Sequence, residues 1–380
     1  MRRIIICGLH KYPRGGAFAN YIQYFADALI DAGYQIEMLC NINNEYSSQS
    51  EFEYRDAHIS EIMWQGVGLL KRLMNGKLFS WNLKKKLLTY NLNEGDLLIF
   101  PSVMPLTVPI FELKDQYHFK SAGVPLEWFS REQFDNAEEA KQGERLFFLN
   151  TWHDIIFPIS HLIAEQFPDN KCCIVPIMAD IQEYPYIPKK TGKYEFIFPA
   201  NGMMKDALKE MLQGLAMLSE KELNKIVFHL TGVKETLVYE ILELEKIEKI
   251  GASLIIHKWM EYTELITLYQ HVHYLFLARD ISQMTMSNFP SKVPETMTYG
   301  IVPVVSRVGD YTKYYLEDGV NSLIFDGCDG IICFNALKRA VAVPFGEYSI
   351  LSATARKCVE KHFDYRNWSQ ILKDNIESIF

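Results

Sequence analysis

Lys292 and Glu295 stand three residues apart in Asn288-Phe-Pro-Ser-Lys-Val-Pro-Glu-Thr-Met-Thr-Tyr-Gly300, flanked by Pro290 and Pro294. A lysine ammonium pairs with diphosphate oxygens, and a carboxylate accepts hydrogen bonds from sugar hydroxyls. Both prolines lack a donor and fix φ, so the spacing predicts extended backbone up to Ser291 and Lys292 and a helix beginning near Glu295. Unpaired N–H groups at that helix start attract phosphate. Gly300 is expected to end the helix, and the apolar run from Val302 to Val305 then reads as a strand covered on both faces.

The elements around this stretch form two series. Residues 3 to 9, a break at Tyr12-Pro-Arg-Gly15-Gly16, and Phe18, Ile22, Phe25 and Leu29 at helical spacing make a strand, glycine turn and helix. Paired glycines allow backbone to approach a sugar or phosphate closely. A strand at Asp96–Phe100 follows, and Glu127 stands at the expected end of another, where open α/β sheets place ligand groups. Pro185, Pro188 and Gly192 mark a linker. Beyond it, Glu195–Ala200 opens a second series, with Asn201-Gly202-Met-Met-Lys205 before a helix and Arg279 at the end of the strand His273–Ala278. The expected domains are 1–184, a linker at 185–192, 193–347, and C-terminal helices at 348–380 whose last member crosses back to the first domain.

Composition narrows the function classes. A chain of 380 residues suits two domains, and a net charge of −8 argues against nucleic acid as the partner. Seven cysteines without a Cys-x-x-Cys pair read as reduced thiols of a cytoplasmic protein. Ile4–Leu9 is shorter than a signal core, and no run approaches a membrane span. No metal motif is read, since His271 and His273 are two residues apart, nonadjacent on a helix, and no further ligand stands beside them at metal-binding spacing. Between Glu61 and Glu94 there is no carboxylate, while Lys71, Arg72, Lys77, Lys84, Lys85 and Lys86 interleave with Trp64, Trp81 and several leucines. Such a segment suits either a solvated face over a core helix or contact with an anionic membrane surface at the inner face.

Phe289-Pro-Ser-Lys-x-x-Glu295, Gly300-x-x-Pro303-Val-Val-Ser306 and Asp318-Gly-x-Asn321-Ser-Leu-Ile324 resemble the nucleotide-binding segment of retaining glycosyltransferase family 4, in its Pro-Ser-Lys-x-x-Glu branch. The resemblance covers most of the chain and is specific mainly in residues 195 to 325. It implies an α/β GT-B fold, with two Rossmann-like domains facing across a cleft. It also implies a nucleoside-diphosphate sugar as donor, no further cofactor, and a glycan or lipid-linked acceptor in cell-envelope or surface polysaccharide synthesis. By the same resemblance Glu295 binds ribose, Ser291, Lys292, Gly202 and Lys205 attend the diphosphate, and Gly15 and Gly16 form a loop like the family's acceptor-side one that also takes part in donor binding. Arg279 replaces a phosphate-binding arginine that is missing near Met203. Ser287 fills a slot where many members carry a glutamate that touches the donor sugar. No nucleophile is assigned, and Glu127 remains the candidate cleft carboxylate. A silent sugar-nucleotide binder and a sugar-nucleotide epimerase are the competing readings.

Overall fold

The computed structural model describes residues 2–13, 16–64, 66–102, 106–184, 186–199, 205–258 and 260–380. It divides into two compact units: Met1–Met178 with Tyr365–Phe380, and Ala179–Asp364.

The first unit holds a seven-stranded sheet made of β1 (Arg3–Tyr12), β2 (Gln35–Ile42), β3 (Glu51–Tyr54), β4 (Ala57–Glu61), β5 (Leu97–Phe100), β6 (Lys120–Gly123) and β7 (Ile155–Ile156). Its order is β3-β4-β2-β1-β5-β6-β7, and every pair except β3/β4 is parallel. Ile4, Ile5 and Ile6 of β1 and Leu97, Leu98 and Ile99 of β5 are all buried, as strands covered on both faces must be. The helix Ala17–Asp31 buries every residue from Tyr21 to Leu29, so it is enclosed on all sides there and not along a single stripe. β3 and β4 were not foreseen: the alternation Glu51-Phe-Glu-Tyr54 forms an antiparallel edge with its glutamates exposed. Such charges keep the edge from pairing with another chain. The last helix, Ser369–Glu377, belongs to this unit, where the Tyr34 hydroxyl donates to Glu377 Oε1 at 2.8 Å.

The second unit holds a six-stranded parallel sheet of β8 (Tyr194–Pro199), β9 (Ile226–Thr231), β10 (Leu254–Ile256), β11 (Tyr274–Leu277), β12 (Val302–Ser306) and β13 (Leu323–Phe325), in the order β10-β9-β8-β11-β12-β13. The Phe196 ring stacks on Tyr274 at 5.0 Å and on Phe228 at 5.9 Å between centroids, fixing three adjacent strands. The polar stretch after β9 forms two helices, Glu235–Ile241 and Leu244–Ile250.

Residues 186–192, most of the expected linker, lie inside the second unit. Buried Lys189 folds them down by donating to the carbonyls of Tyr269 and Gln270 at 2.7 and 3.0 Å. Arg356 does the same for the preceding residues. Its guanidinium donates to the carbonyls of Ile181 at 2.8 Å and Tyr184 at 2.9 Å, and also to that of Thr298 at the end of the Lys292–Thr298 helix.

Gly300 has a φ of 70°, and its carbonyl accepts from Ser352 Oγ at 2.6 Å. A Cβ there would press on the Tyr186 ring and lie 2.7 Å from Ser352 Oγ. Gly300→Ala is therefore expected to lower unfolding free energy by about 2 kcal/mol, through backbone strain and overpacking together. Urea denaturation with an unchanged midpoint would show that the site relaxes freely.

Candidate functional site

Open α/β sheets bind ligands beyond the carboxyl ends of their strands, where the strand order reverses. In the second unit that point lies between β8 and β11, from which later strands extend in opposite directions. The chain leaves β8 and reaches Lys205 and Asp206; it leaves β11 at Ala278 and Arg279. The Ala207 N–H donates to the Ala278 carbonyl at 2.8 Å, which ties the two exits together.

Asp206 collects the charges here. Its Oδ1 accepts from Arg279 Nε at 2.8 Å and its Oδ2 from Lys292 Nζ at 2.6 Å. Arg279 also donates from a terminal nitrogen to Asn288 Oδ1 at 3.1 Å, while its backbone N–H donates to Ser306 Oγ at 2.8 Å. The side chains of Asp206 and Arg279 are 5% and 4% exposed, whereas that of Lys292 is 22% exposed. Lys292 is thus the member of this trio with access to a ligand. Burial works to raise the Asp206 carboxyl, but Lys292 and Arg279 outweigh it and hold the group below the usual carboxylate range. Burial pulls the Lys292 amine below its ordinary value, against the opposing charge of Asp206.

The helix that presents Lys292 begins there and not near Glu295 as expected. Ser291 is already right-handed helical, and Pro294 falls in the first turn, where a missing N–H removes no helical bond. Glu295 follows within that turn, half-buried; burial and then its charge raise the phenol of Tyr269 well above the usual range. Lys205 precedes the helix Leu208–Met217, in line with the expected order, and the bond from Ala207 to the β11 exit fixes the approach to that helix.

The remaining expected residues are spread more widely. Gly15 and Gly202 lie outside the described residues, as do Asn201 and Met203. Gly16 caps the helix Ala17–Asp31 in the first unit with a φ of 120°, a conformation other residues rarely adopt. Glu127 is half-buried beyond the end of β6 in that same unit. Arg279 turns its guanidinium inward to Asp206 and Asn288. Ser287 is fully buried, with its hydroxyl donating to the Met284 carbonyl at 3.2 Å. Asp206 itself was not anticipated, although a carboxylate directly behind Lys205 at a strand exit was a readable signal.

The basic segment splits in two. The helix Phe79–Leu88 buries Phe79, Leu83 and Leu87, and its Lys84 and Lys86 face Glu112 and Glu51. The helix Gly68–Asn75 buries nothing: Leu69 is 82% exposed beside Leu70, Lys71, Arg72 and Leu73. Trp81 is exposed, with the Lys85 ammonium 5.4 Å from its ring centre. Among the described residues no helix is long and apolar enough to cross a membrane, and no cluster of His, Cys, Asp or Glu could hold a metal. His273 is engaged at both ring nitrogens, accepting from the Glu195 N–H and donating to the Lys190 carbonyl.

No family model matches the chain, and no curated protein matches its sequence. Solved structures do match. Sucrose-phosphate synthase from Thermosynechococcus elongatus superposes with a TM-score of 0.75 at 12% identity, over 100% of this chain and 99% of that one. HepE from Anabaena, in complex with UDP and glucose, gives 0.73 at 12% identity over 100% of both chains. An alpha,alpha-trehalose-phosphate synthase (UDP-forming) from Burkholderia xenovorans, in complex with glucose-6-phosphate, gives 0.68 at 14% identity over 99% of this chain and 100% of that one. The likeness shows the fold, an α/β arrangement of parallel Rossmann-like sheets of the GT-B type.

The folded pKa of Asp206 lies below the roughly 3.9 of an unfolded aspartate. Its contribution to stability is therefore complete above about pH 5 and disappears as pH falls through the folded value. Native protein is expected to exceed Asp206→Asn by about 2 kcal/mol in urea at neutral pH, with the gap closing below about pH 4. A gap of constant size from pH 3 to 7 would rule out an ionised Asp206.

Proposed function

We propose that this protein is a glycosyltransferase that moves a sugar from a nucleoside diphosphate to a glycan or lipid-linked acceptor, with retention, in the synthesis of cell-envelope or surface polysaccharide. The observation that carries the reading is the Lys292–Asp206–Arg279 cluster at the β8/β11 switch point, with Glu295 in the same helical turn as Lys292. The leaving group of such a reaction is a diphosphate, and its developing charge calls for a fixed cation. The Lys292 ammonium supplies one. Glu295 would hold the ribose, and contacts to that remote part orient the reacting carbon.

In the front-face course suggested by the family resemblance, the bond from the anomeric carbon to the diphosphate oxygen breaks as the acceptor oxygen bonds on the same face. The acceptor's proton passes to the departing phosphate, so no protein nucleophile is required. UDP-sugars are the first donors to test, since HepE was solved with UDP and glucose and the Burkholderia synthase is UDP-forming. A second reading, a silent sugar-nucleotide binder, is favoured by Ser287, which is buried in the slot where many members of the family it resembles carry a sugar-binding glutamate.

The exposed helix Gly68–Asn75 supports a peripheral role at an anionic membrane surface, where a lipid-linked acceptor would be met. Leu69, Leu70 and Leu73 offer the apolar contact and Lys71, Arg72 and Lys85 the charge.

Incubation with labelled UDP-, GDP- and ADP-sugars and crude lipid-linked glycans tests the reading. Transfer of label to acceptor is the expected outcome. Binding without any turnover would favour the silent binder, and an epimerised free sugar nucleotide would sink the transferase. Lys292→Ala is expected to weaken donor binding about tenfold or more, as loss of a charge-assisted hydrogen bond should. Glu295→Ala should weaken it through the ribose; unchanged calorimetric affinity in both would remove the donor site. Co-sedimentation with vesicles containing phosphatidylglycerol should decline in Lys71→Gln/Arg72→Gln and at high salt. Native protein that ignores such vesicles would end the membrane reading.

A further inference from the structure

A diphosphate site gains nothing obvious from a carboxylate at its centre. Asp206 nevertheless contacts the partly exposed cation of the site directly, at 2.6 Å, and is nearly inaccessible itself. A lysine side chain is a long flexible stem ending in a strongly hydrated point charge, so its position must come from a partner. Asp206 is suited to that role because it is buried and held by its own partners. One oxygen is fixed by Arg279, and Arg279 is in turn fixed by Asn288 and by a reciprocal pair with Ser306, whose hydroxyl donates to the Arg279 carbonyl at 3.0 Å. The brace therefore runs from the ends of β11 and β12 through Arg279 and Asp206 to Lys292 Nζ. Among the described residues, Asp206 takes one of the three ammonium donors of Lys292 and leaves two for a ligand.

We infer that Asp206 is a positioning residue for the donor diphosphate, holding the Lys292 ammonium in place through the buried Arg279–Asp206 pair. The inference rests on the donor-site reading above and deepens it. Two cations and one carboxylate leave the trio with a single net positive charge, delivered at Lys292. The charged and titratable groups around Lys292 are Asp206, Arg279 and Lys205, and the buried phenol of Tyr311 adjoins Arg279 and Asp206. Burial, Arg279 and Lys205 all favour the neutral amine, and Asp206 opposes them. Removing Asp206 therefore releases the ammonium geometrically and makes it easier to deprotonate.

This gives an expectation opposite to that of simple charge counting, by which deleting a carboxylate should improve anion binding. Calorimetric titration with UDP, GDP and ADP, and with inorganic pyrophosphate, is made on native protein, Lys292→Ala, Asp206→Asn and the double variant across pH 6 to 10. Asn keeps an acceptor for Arg279 Nε, and Asp206→Glu, which keeps the charge but displaces it by one methylene, serves if the Asn variant does not fold. The expected result is a loss of about tenfold in Asp206→Asn and a smaller one in Asp206→Glu. The alkaline fall of affinity should move to lower pH in Asp206→Asn, and the double variant should bind no more weakly than Lys292→Ala. Tighter or unchanged binding in Asp206→Asn, or losses that add in the double variant, would overturn the inference while leaving the donor site standing. Native protein that binds none of these probes would remove the donor-site reading, and the inference with it.

Discussion

Taking charge out of water is expensive, and a protein that buries an arginine at a strand end must give it a partner. Asp206 is that partner, and much of the second unit's upper edge follows from it. The carboxylate joins the β8 and β11 exits through Arg279, reaches the Lys292–Thr298 helix through Lys292, and stands beside the backbone bond from Ala207 to Ala278. Three segments far apart in sequence are thereby held in one geometry. On the donor-site reading proposed above, this arrangement would present a ligand with a cation already held in place.

The same edge is braced from behind. Arg356 gathers carbonyls from residues 181 and 184 and from the far end of the helix that begins at Lys292. Ser352 holds the Gly300 carbonyl one turn of chain further on. The helix Phe345–His362 thus anchors the C-terminal end of the Lys292–Thr298 helix while Asp206 anchors its N-terminal end. A helix of seven residues has little stability alone, and this one draws its order from both ends.

The strand at Val302–Ser306 was legible because its apolar run, Val302 to Val305, has the composition that burial on both faces demands. A helix in the Lys292/Glu295 segment was legible, but its prolines placed the start near Glu295 and the structure places it at Lys292. What could not be read were interactions set by distant residues. Pro294 looked like a barrier to helix and is a first-turn residue; only the fold decides between the two. Lys189 read as linker, yet the carbonyls that bury it come from Tyr269 and Gln270, eighty residues away in sequence. Arg279 was expected to face a ligand, but whether a strand-end arginine turns out or in depends on a carboxylate that its own segment does not contain.

The helix Gly68–Asn75 illustrates how much a fold can leave unsupported. With no buried side chain, it is held by the two hydrogen bonds of Asn75 to the backbone of Trp64 and by its junction with the next helix. Its amides accordingly lack the protection that a packed core gives and open at low free energy in the free protein. Slowed hydrogen–deuterium exchange confined to these residues would therefore report the covering of this helix by any binding surface, with no label added.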